Sequence, residues 1–376
     1  MKKFFVLLAA VAMIANVACT KVNPEEKKSE KISFSVANYA PQTKLTALQD
    51  ETFTSFKTTA KLFAAGLAPQ DYMTNVAVNF TAGTPNVWAP ARDYYWPKEG
   101  YINFYSFVSS KTELEPTLTF DGAKTTATAA YTADAIGAND NILLADAALN
   151  QTQNLQKYIE TSKVASGVPT LFRHLLAKVS FDVKLATTAD KKTTSTKFKV
   201  TILNSGDNLS TLTVVKNGAL TLTNVYAADA EAKAWTVADD ATVWTAPETA
   251  SIETIDMLTP SLTLAPADDN SLETAAADLL ALRTVLPQTL GDDVVFTIAY
   301  KIETYYGNEQ DPYMTEIITA SKKLTEFTSA ITAWNINTKN TYHIIIDPVG
   351  NTIKFDPAVE EWTVVDGGTL SLPESN

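Results

Sequence analysis

Apolar and polar residues alternate with a period of two along most of this chain. From Lys178 onward, Val179, Phe181, Val183 and Leu185 fall on one face and Ser180, Asp182 and Lys184 on the other, the pattern of a half-buried strand. The stretch opens at Val168, behind Ser166-Gly167, and Pro169 places its start at a strand end or edge. Val168–Lys184 is therefore expected to be the first strand of a second β-domain, after a polar connection over Ala145–Ser166. Near the start, Ile32, Phe34 and Val36 alternate with Ser33 and Ser35, a short strand ending near Tyr39. Tyr101–Val108 is apolar on both faces, as a central strand would be.

Further strands are expected at Lys197–Leu203, Val294–Ile302 and Tyr342–Ile346. Within Thr211–Thr223, a three-residue loop Lys216–Gly218 would pair Leu212 with Leu222 and Val214 with Leu220. That gathers all four on one face and puts Gly218 at the left-handed position. Ser271–Leu282 is the best short-helix candidate, with a Ser cap, Glu273 in the first turn, then Ala and Leu.

The 376 residues suffice for two or three domains with an ample core. The formal charge is −12, and an acidic surface argues against nucleic acid, which needs clustered Lys and Arg. One cysteine, Cys19, rules out a disulfide framework. Met1-Lys-Lys followed by apolar Phe4–Ala15 is too short to span a bilayer but right for a signal peptide over 1–18. It runs through Asn16-Val-Ala into Cys19. One reading is a lipobox with Cys19 acylated, palmitate-like chains anchoring the mature protein; Asn16 departs from the usual Leu. The other is an ordinary cleavage site with a chance cysteine. Residues 19–30 form a polar tether.

No G-x-S-x-G, G-x-G-x-x-G, Walker A, H-E-x-x-H or EF-hand pattern occurs. His174 and His343 sit in separate strands, where core or edge packing is the plain expectation. Asp292-Asp293 and Glu360-Glu361 are adjacent pairs whose members would point to opposite faces of a strand. The expectation is a protein with no catalytic residues, no metal and no cofactor. The aromatic run with Trp88 and Trp96 reads as packing between sheets, or as a sugar-stacking face if exposed.

Three segments carry a family resemblance. They are Asn141-Ile-Leu-Leu-Ala-Asp146 with Phe172-x-His174-x-Leu176-Ala-Lys-Val179, the order Tyr94-Tyr-Trp-Pro97 then Phe104-Tyr105, and the ending Ile353-x-Phe355-x-x-x-Val359-x-x-Trp362 with Trp334 before it. Together with the lipobox they resemble the fimbrillin family, the Mfa-like or type V pilins. That resemblance implies an all-β fold of two transthyretin-like, Greek-key β-sandwich domains in tandem, here expected over 31–165 and 166–376. It also implies a fimbrial subunit (stalk, tip or anchor) exported through the periplasm as an outer-membrane lipoprotein, with other fimbrial subunits as partners and a possible surface ligand. A protease would cut after the first strand, Ile32–Tyr39, and a neighbour's C-terminal strand would fill the groove. The expected donor is 363–372, with Val364, Val365, Leu370 and Leu372 as its apolar side chains. The family's usual Thr-Arg after the first strand is Thr43-Lys44 here, so cleavage would fall at Lys44 by a Lys-tolerant protease, or the strand would stay. The alternative is a glycan-binding surface lipoprotein.

Overall fold

The computed structural model of the chain describes residues 29–38, 53–83, 87–121, 126–134, 136–137, 139–153, 167–185, 196–225, 232–233, 236–237, 244, 252–256, 262–264, 278–306, 309–326, 331–348 and 352–361. The strands run β1 (Phe34–Asn38), β2 (Ser55–Phe63), β3 (Gln70–Thr81), β4 (Val87–Pro90), β5 (Tyr101–Ser109), β6 (Thr117–Phe120), β7 (Thr126–Ala133), β8 (Ile142–Ala145) and β9 (Ala147–Gln151). They continue as β10 (Val168–His174), β11 (Ala177–Leu185), β12 (Thr196–Leu203), β13 (Thr211–Val215), β14 (Gly218–Val225), β15 (Ala232–Lys233), β16 (Thr236–Val237), β17 (Ile252–Asp256) and β18 (Leu262–Leu264). The last are β19 (Asp278–Val285), β20 (Gln288–Thr289), β21 (Val295–Tyr306), β22 (Met314–Lys323), β23 (Ala333–Trp334), β24 (Thr338–Asp347) and β25 (Thr352–Glu361). The fold is all-β.

The first body is a nine-stranded sheet in the order β15-β9-β5-β2-β3-β4-β1-β10-β8, and β5 also pairs with β8. That extra pairing closes the sheet into a ring, so the strands from β5 round to β8 have no free edge between them. Its core gathers Phe34, Phe56, Trp88, Trp96, Phe104 and Phe172. β5 is buried over most of its length on both faces, as its composition predicts. A four-stranded sheet, β16-β14-β7-β6, supplies residues to a neighbouring core.

The second body is a two-layer sandwich. One layer is β19-β11-β24-β25; the other is built on β21, which pairs with β12, β13 and β22. Phe181 and Val183 of the first layer meet Phe296, Ile298 and Tyr300 of the second in one core. Alternation alone explains which side of β11 enters this core, since it buries Val179, Phe181 and Val183.

Five expectations need correction. Val168–Lys184 is not one strand opening the second body. β10 pairs in parallel with β1 and antiparallel with β8, inside the first sheet, and only β11 belongs to the sandwich. The break falls at Leu175-Leu176, where Leu175 gives its N–H to Ile142 O at 2.9 Å. The bodies are also not consecutive at 165/166. β14 pairs along its whole length with β7, and β15 pairs with β9, so the chain returns to the first body after β13. Part of Ala145–Ser166 is strand too, since β9 buries Ala147, Ala148 and Leu149.

The expected hairpin at Lys216–Gly218 is a sheet-to-sheet crossing instead. β13 pairs with β17 and β21, while Gly218 begins β14 opposite Ala133. Leu212 and Val214 enter one core and Leu220 and Leu222 another. Two separate cores bury these four as fully as one hairpin face would. Finally, Asp278–Leu282 of the expected helix is strand β19 against β11. Ladder pairing beside a buried strand outweighs a helix propensity that amounts to tenths of a kcal/mol per residue; residues 271–277 lie outside the described ones.

A third core cluster joins the bodies: Phe107, Leu144, Leu175, Leu176, Leu220, Trp244 and Leu286 pack together. Trp244 donates from Nε1 to Leu175 O at 3.1 Å. The junction is therefore apolar and buried, unlike a polar linker.

Candidate strand-assembly site

β1 lies within the closed sheet, and it is short, apolar and held on both sides. It runs parallel to β10 over five register pairs, from Phe34 opposite Val168 to Asn38 opposite Phe172. Its other neighbour, β4, meets it only at Phe34 and Trp88. Just upstream, Ile32 donates to Tyr94 O at 2.8 Å, and Val168 donates to Ser33 O at 2.8 Å. Alternation puts Ile32, Phe34 and Val36 into the core, each at most 3% exposed. Phe34 lies edge-on to Phe56 (5.4 Å, 83°) and Phe104 (5.5 Å, 85°). Three such side chains contribute roughly 4.5–9 kcal/mol gross, so β1 is firmly seated while its chain is intact.

The wall that β1 leans on is braced by the segments of the family resemblance. β8 and β10 pair Ala145 with Phe172, Leu144 with Arg173 and Leu143 with His174. Arg173 grips Asp146 with two hydrogen bonds, 3.1 Å from Nε and 2.9 Å from Nη2. His174 Nδ1 lies 2.9 Å from Asn141 Oδ1, an oxygen that accepts, so the ring proton sits on Nδ1. The His174 backbone N–H donates to Asn337 Oδ1 at 3.2 Å, and the Asn337 backbone N–H donates to Leu176 O at 3.2 Å. Asn337 takes a positive φ of 58°, which asparagine tolerates. Thus Asn141, His174 and Asn337 tie the first body to the second beside the β1 seat.

Burial holds the His174 imidazole well below its ordinary value of 6.5, and the charge of Lys178 lowers it further. An unfolded chain takes up a proton below that value and the folded protein does not. Stability is thus fully present above about pH 6.5 and is lost as pH falls toward the folded value, by up to about 1.4 kcal/mol per pH unit. Urea midpoints of wild type and His174→Gln between pH 7 and pH 5 are expected to diverge in slope, the variant being flatter. Parallel profiles would remove His174 from the acid response.

Gly167 sets how close the wall stands to β1. A Cβ there would lie 2.5 Å from Phe34 C and 2.7 Å from Ser35 N, both backbone atoms. The Ser166-Gly167 break was legible, but nothing in the sequence showed that β1 crosses over it.

The other anticipated residues distribute as follows. Cys19, Lys44, Val364, Val365, Leu370 and Leu372 lie outside the described residues; Lys44 falls in the connection between β1 and β2. Trp88 and Trp96 are 5% and 2% exposed, so they cannot form a sugar-stacking face. Their rings pack on Phe53, Phe56, Phe80 and Phe104 instead. His343 is a β24 residue opposite Asp182. Asp292 is a turn residue paired with Lys323 at 3.1 Å, and Glu360 and Glu361 end β25. Among the described residues no three His, Cys, Asp or Glu gather to hold a metal ion, and no helix is long and apolar enough to cross a membrane.

No family model and no curated protein matches this chain. Among solved structures it is similar to a fimbrial protein from Bacteroides vulgatus, at 15% identity over 88% of this chain and 99% of that one, with a TM-score of 0.48. It is also similar to a fimbrilin from Porphyromonas gingivalis, at 10% identity over 89% of this chain and 98% of that one, with a TM-score of 0.34.

Proposed function

We propose that this protein is a structural subunit of a cell-surface fimbrium, exported as a lipoprotein anchored through Cys19 and joined to its neighbours by exchange of β1 for another subunit's strand. The observation that carries the reading is the seat of β1. It is the first strand of the described chain and sits between two strands, with Phe34 and Val36, and Ile32 just before it, in the core of a closed sheet. Removing it would open one long slot with three apolar pockets and unpaired edges on β10 and β4, a template for another strand. The segment 363–372 brings Val364, Val365, Leu370 and Leu372 as the fill, and Lys44 is the cleavage point that would free β1. Donor and slot are different surfaces, so the contact propagates head to tail into a filament. The role is structural, with no catalytic step.

Deleting 363–372 is expected to leave the thermal melt unchanged and to abolish filaments in electron micrographs. A large drop in melting temperature would make the segment a strand of its own subunit, and filaments that persist would end the donor assignment.

A further inference from the structure

β22 is an exposed ten-residue strand that, among the described residues, pairs on one side alone. It runs for ten residues against β21, from Met314 opposite Thr304 to Lys323 opposite Val295, and no other described strand meets its far edge. Sheet edges of this length are ordinarily blunted by proline, a bulge or an inward charge. β22 has no proline and an unbroken register with β21; the charges it sets against such pairing are Glu316 and Lys322, on the row of Ile318 and Ala320, and Lys323 on the other. Its sequence, Met-Thr-Glu-Ile-Ile-Thr-Ala-Ser-Lys-Lys, carries the β-branched Thr315, Ile317, Ile318 and Thr319. Met314 and Ile317 remain 50% and 54% exposed, with Tyr313 just before them at 70%.

The charges of β22 are ordered along it, acid first and base last. Laid antiparallel against a second β22 about Thr319, Glu316 falls opposite Lys322, and the two-fold axis repeats the pair. Ile318 then meets Ala320, which continues a row already packed on the sandwich core. On the other face Ile317 meets Ser321 and Thr319 meets Thr319. Each pair sums to an even number, so each layer of the sandwich continues on its own side. Directly opposed unlike charges and Thr–Thr pairs are the favourable cross-strand combinations. We infer that the free edge of β22 is an isologous interface with a second copy of this chain, fusing the two β21–β22 sheets into one. The pairing is lateral, independent of the β1 slot, and would tie neighbouring filaments side by side.

The test uses the full chain with Cys19→Ala, so that an added cysteine is the sole one. Opposed residues of an antiparallel pair lie about 4.5–5.5 Å apart, within disulfide reach. Thr319→Cys is therefore expected to give covalent dimers on oxidation, while Thr315→Cys, opposite Lys323, stays monomeric. In analytical ultracentrifugation Glu316→Lys and Lys322→Glu should each weaken the dimer, by about tenfold or more for a like-charge juxtaposition. The double exchange should restore it. Circular dichroism confirms that each variant is folded. Equal crosslinking at 315 and 319, a monomeric wild type, or a double exchange no better than the singles would overturn the proposal. Repeating the crosslink with 363–372 deleted separates it from head-to-tail assembly, since lateral dimers should persist.

Discussion

Phe181→Ala is expected to destabilise the sandwich by about 3–5 kcal/mol, the range for emptying a buried aromatic site. The Phe181 ring lies between two others, 4.6 Å from Phe296 at 7° and 5.0 Å from Tyr342 at 16°. It bridges the two layers, since Phe181 and Tyr342 come from neighbouring strands of one sheet and Phe296 from the facing one. Tyr342 cannot easily swing into the gap, because its hydroxyl accepts a hydrogen bond from Trp334 Nε1 at 3.0 Å. Burial pushes its phenol up to about 12, so the group stays neutral. The removed ring thus leaves a cavity that its neighbours close poorly. A domain of ordinary stability, about 5–15 kcal/mol, loses about a fifth or more. Urea unfolding would show this as a fall in midpoint with little change in slope, and a loss below about 1 kcal/mol would mean that the layers collapse onto one another.

The second large effect is expected at Gly167, and it is local. Any Cβ at this position drives into the β1 backbone at Phe34 and Ser35. β1 must then move off β10, giving up some of the roughly 4.5–9 kcal/mol of side-chain burial that seats it. Hydrogen exchange in Gly167→Ala should show faster exchange over 32–38, while β11 and β24 keep their protection. Gly100 supplies the control. It has φ +87°, and its Cβ would run into the carbonyl oxygen of Phe63, so Gly100→Ala is strained at a place that does not touch β1. If both variants loosen β1 equally, Gly167 has no special hold on it. If Gly167→Ala loosens β1 and also speeds its removal by a Lys-specific protease, the strand-exchange reading gains a direct handle.

A protease acting on 154–166, the polar stretch of the expected connection, would nick the closed sheet and would not release separate domains. β9 and β10 flank those residues, and both belong to the first body. The apolar cluster of Leu175, Leu176, Trp244 and Leu286 keeps the bodies together in any case.

Local alternation determined much of this protein. A period of two places Ile32, Phe34 and Val36, or Val179, Phe181 and Val183, on one face whatever the partner strand, so the all-β class, β5 as a doubly buried strand and the inward side of β1 and β11 were legible from residue order. The absence of familiar catalytic patterns was legible in the same way. Partnership was not. Alternation says which face is buried but not against what, so Val168–Lys184 read as one strand although it breaks at Leu175-Leu176 and serves two sheets. Likewise Leu212, Val214, Leu220 and Leu222 satisfied a hairpin on paper, while the fold sends each pair to a different core. The helix expected over Ser271–Leu282 gave way where β11 offered Asp278–Leu282 a ladder. Gly167 at the β1 crossing, Asn337 across the junction and the side of β22 that no described strand meets depend on approaches between residues far apart in sequence, and only the tertiary structure decided them.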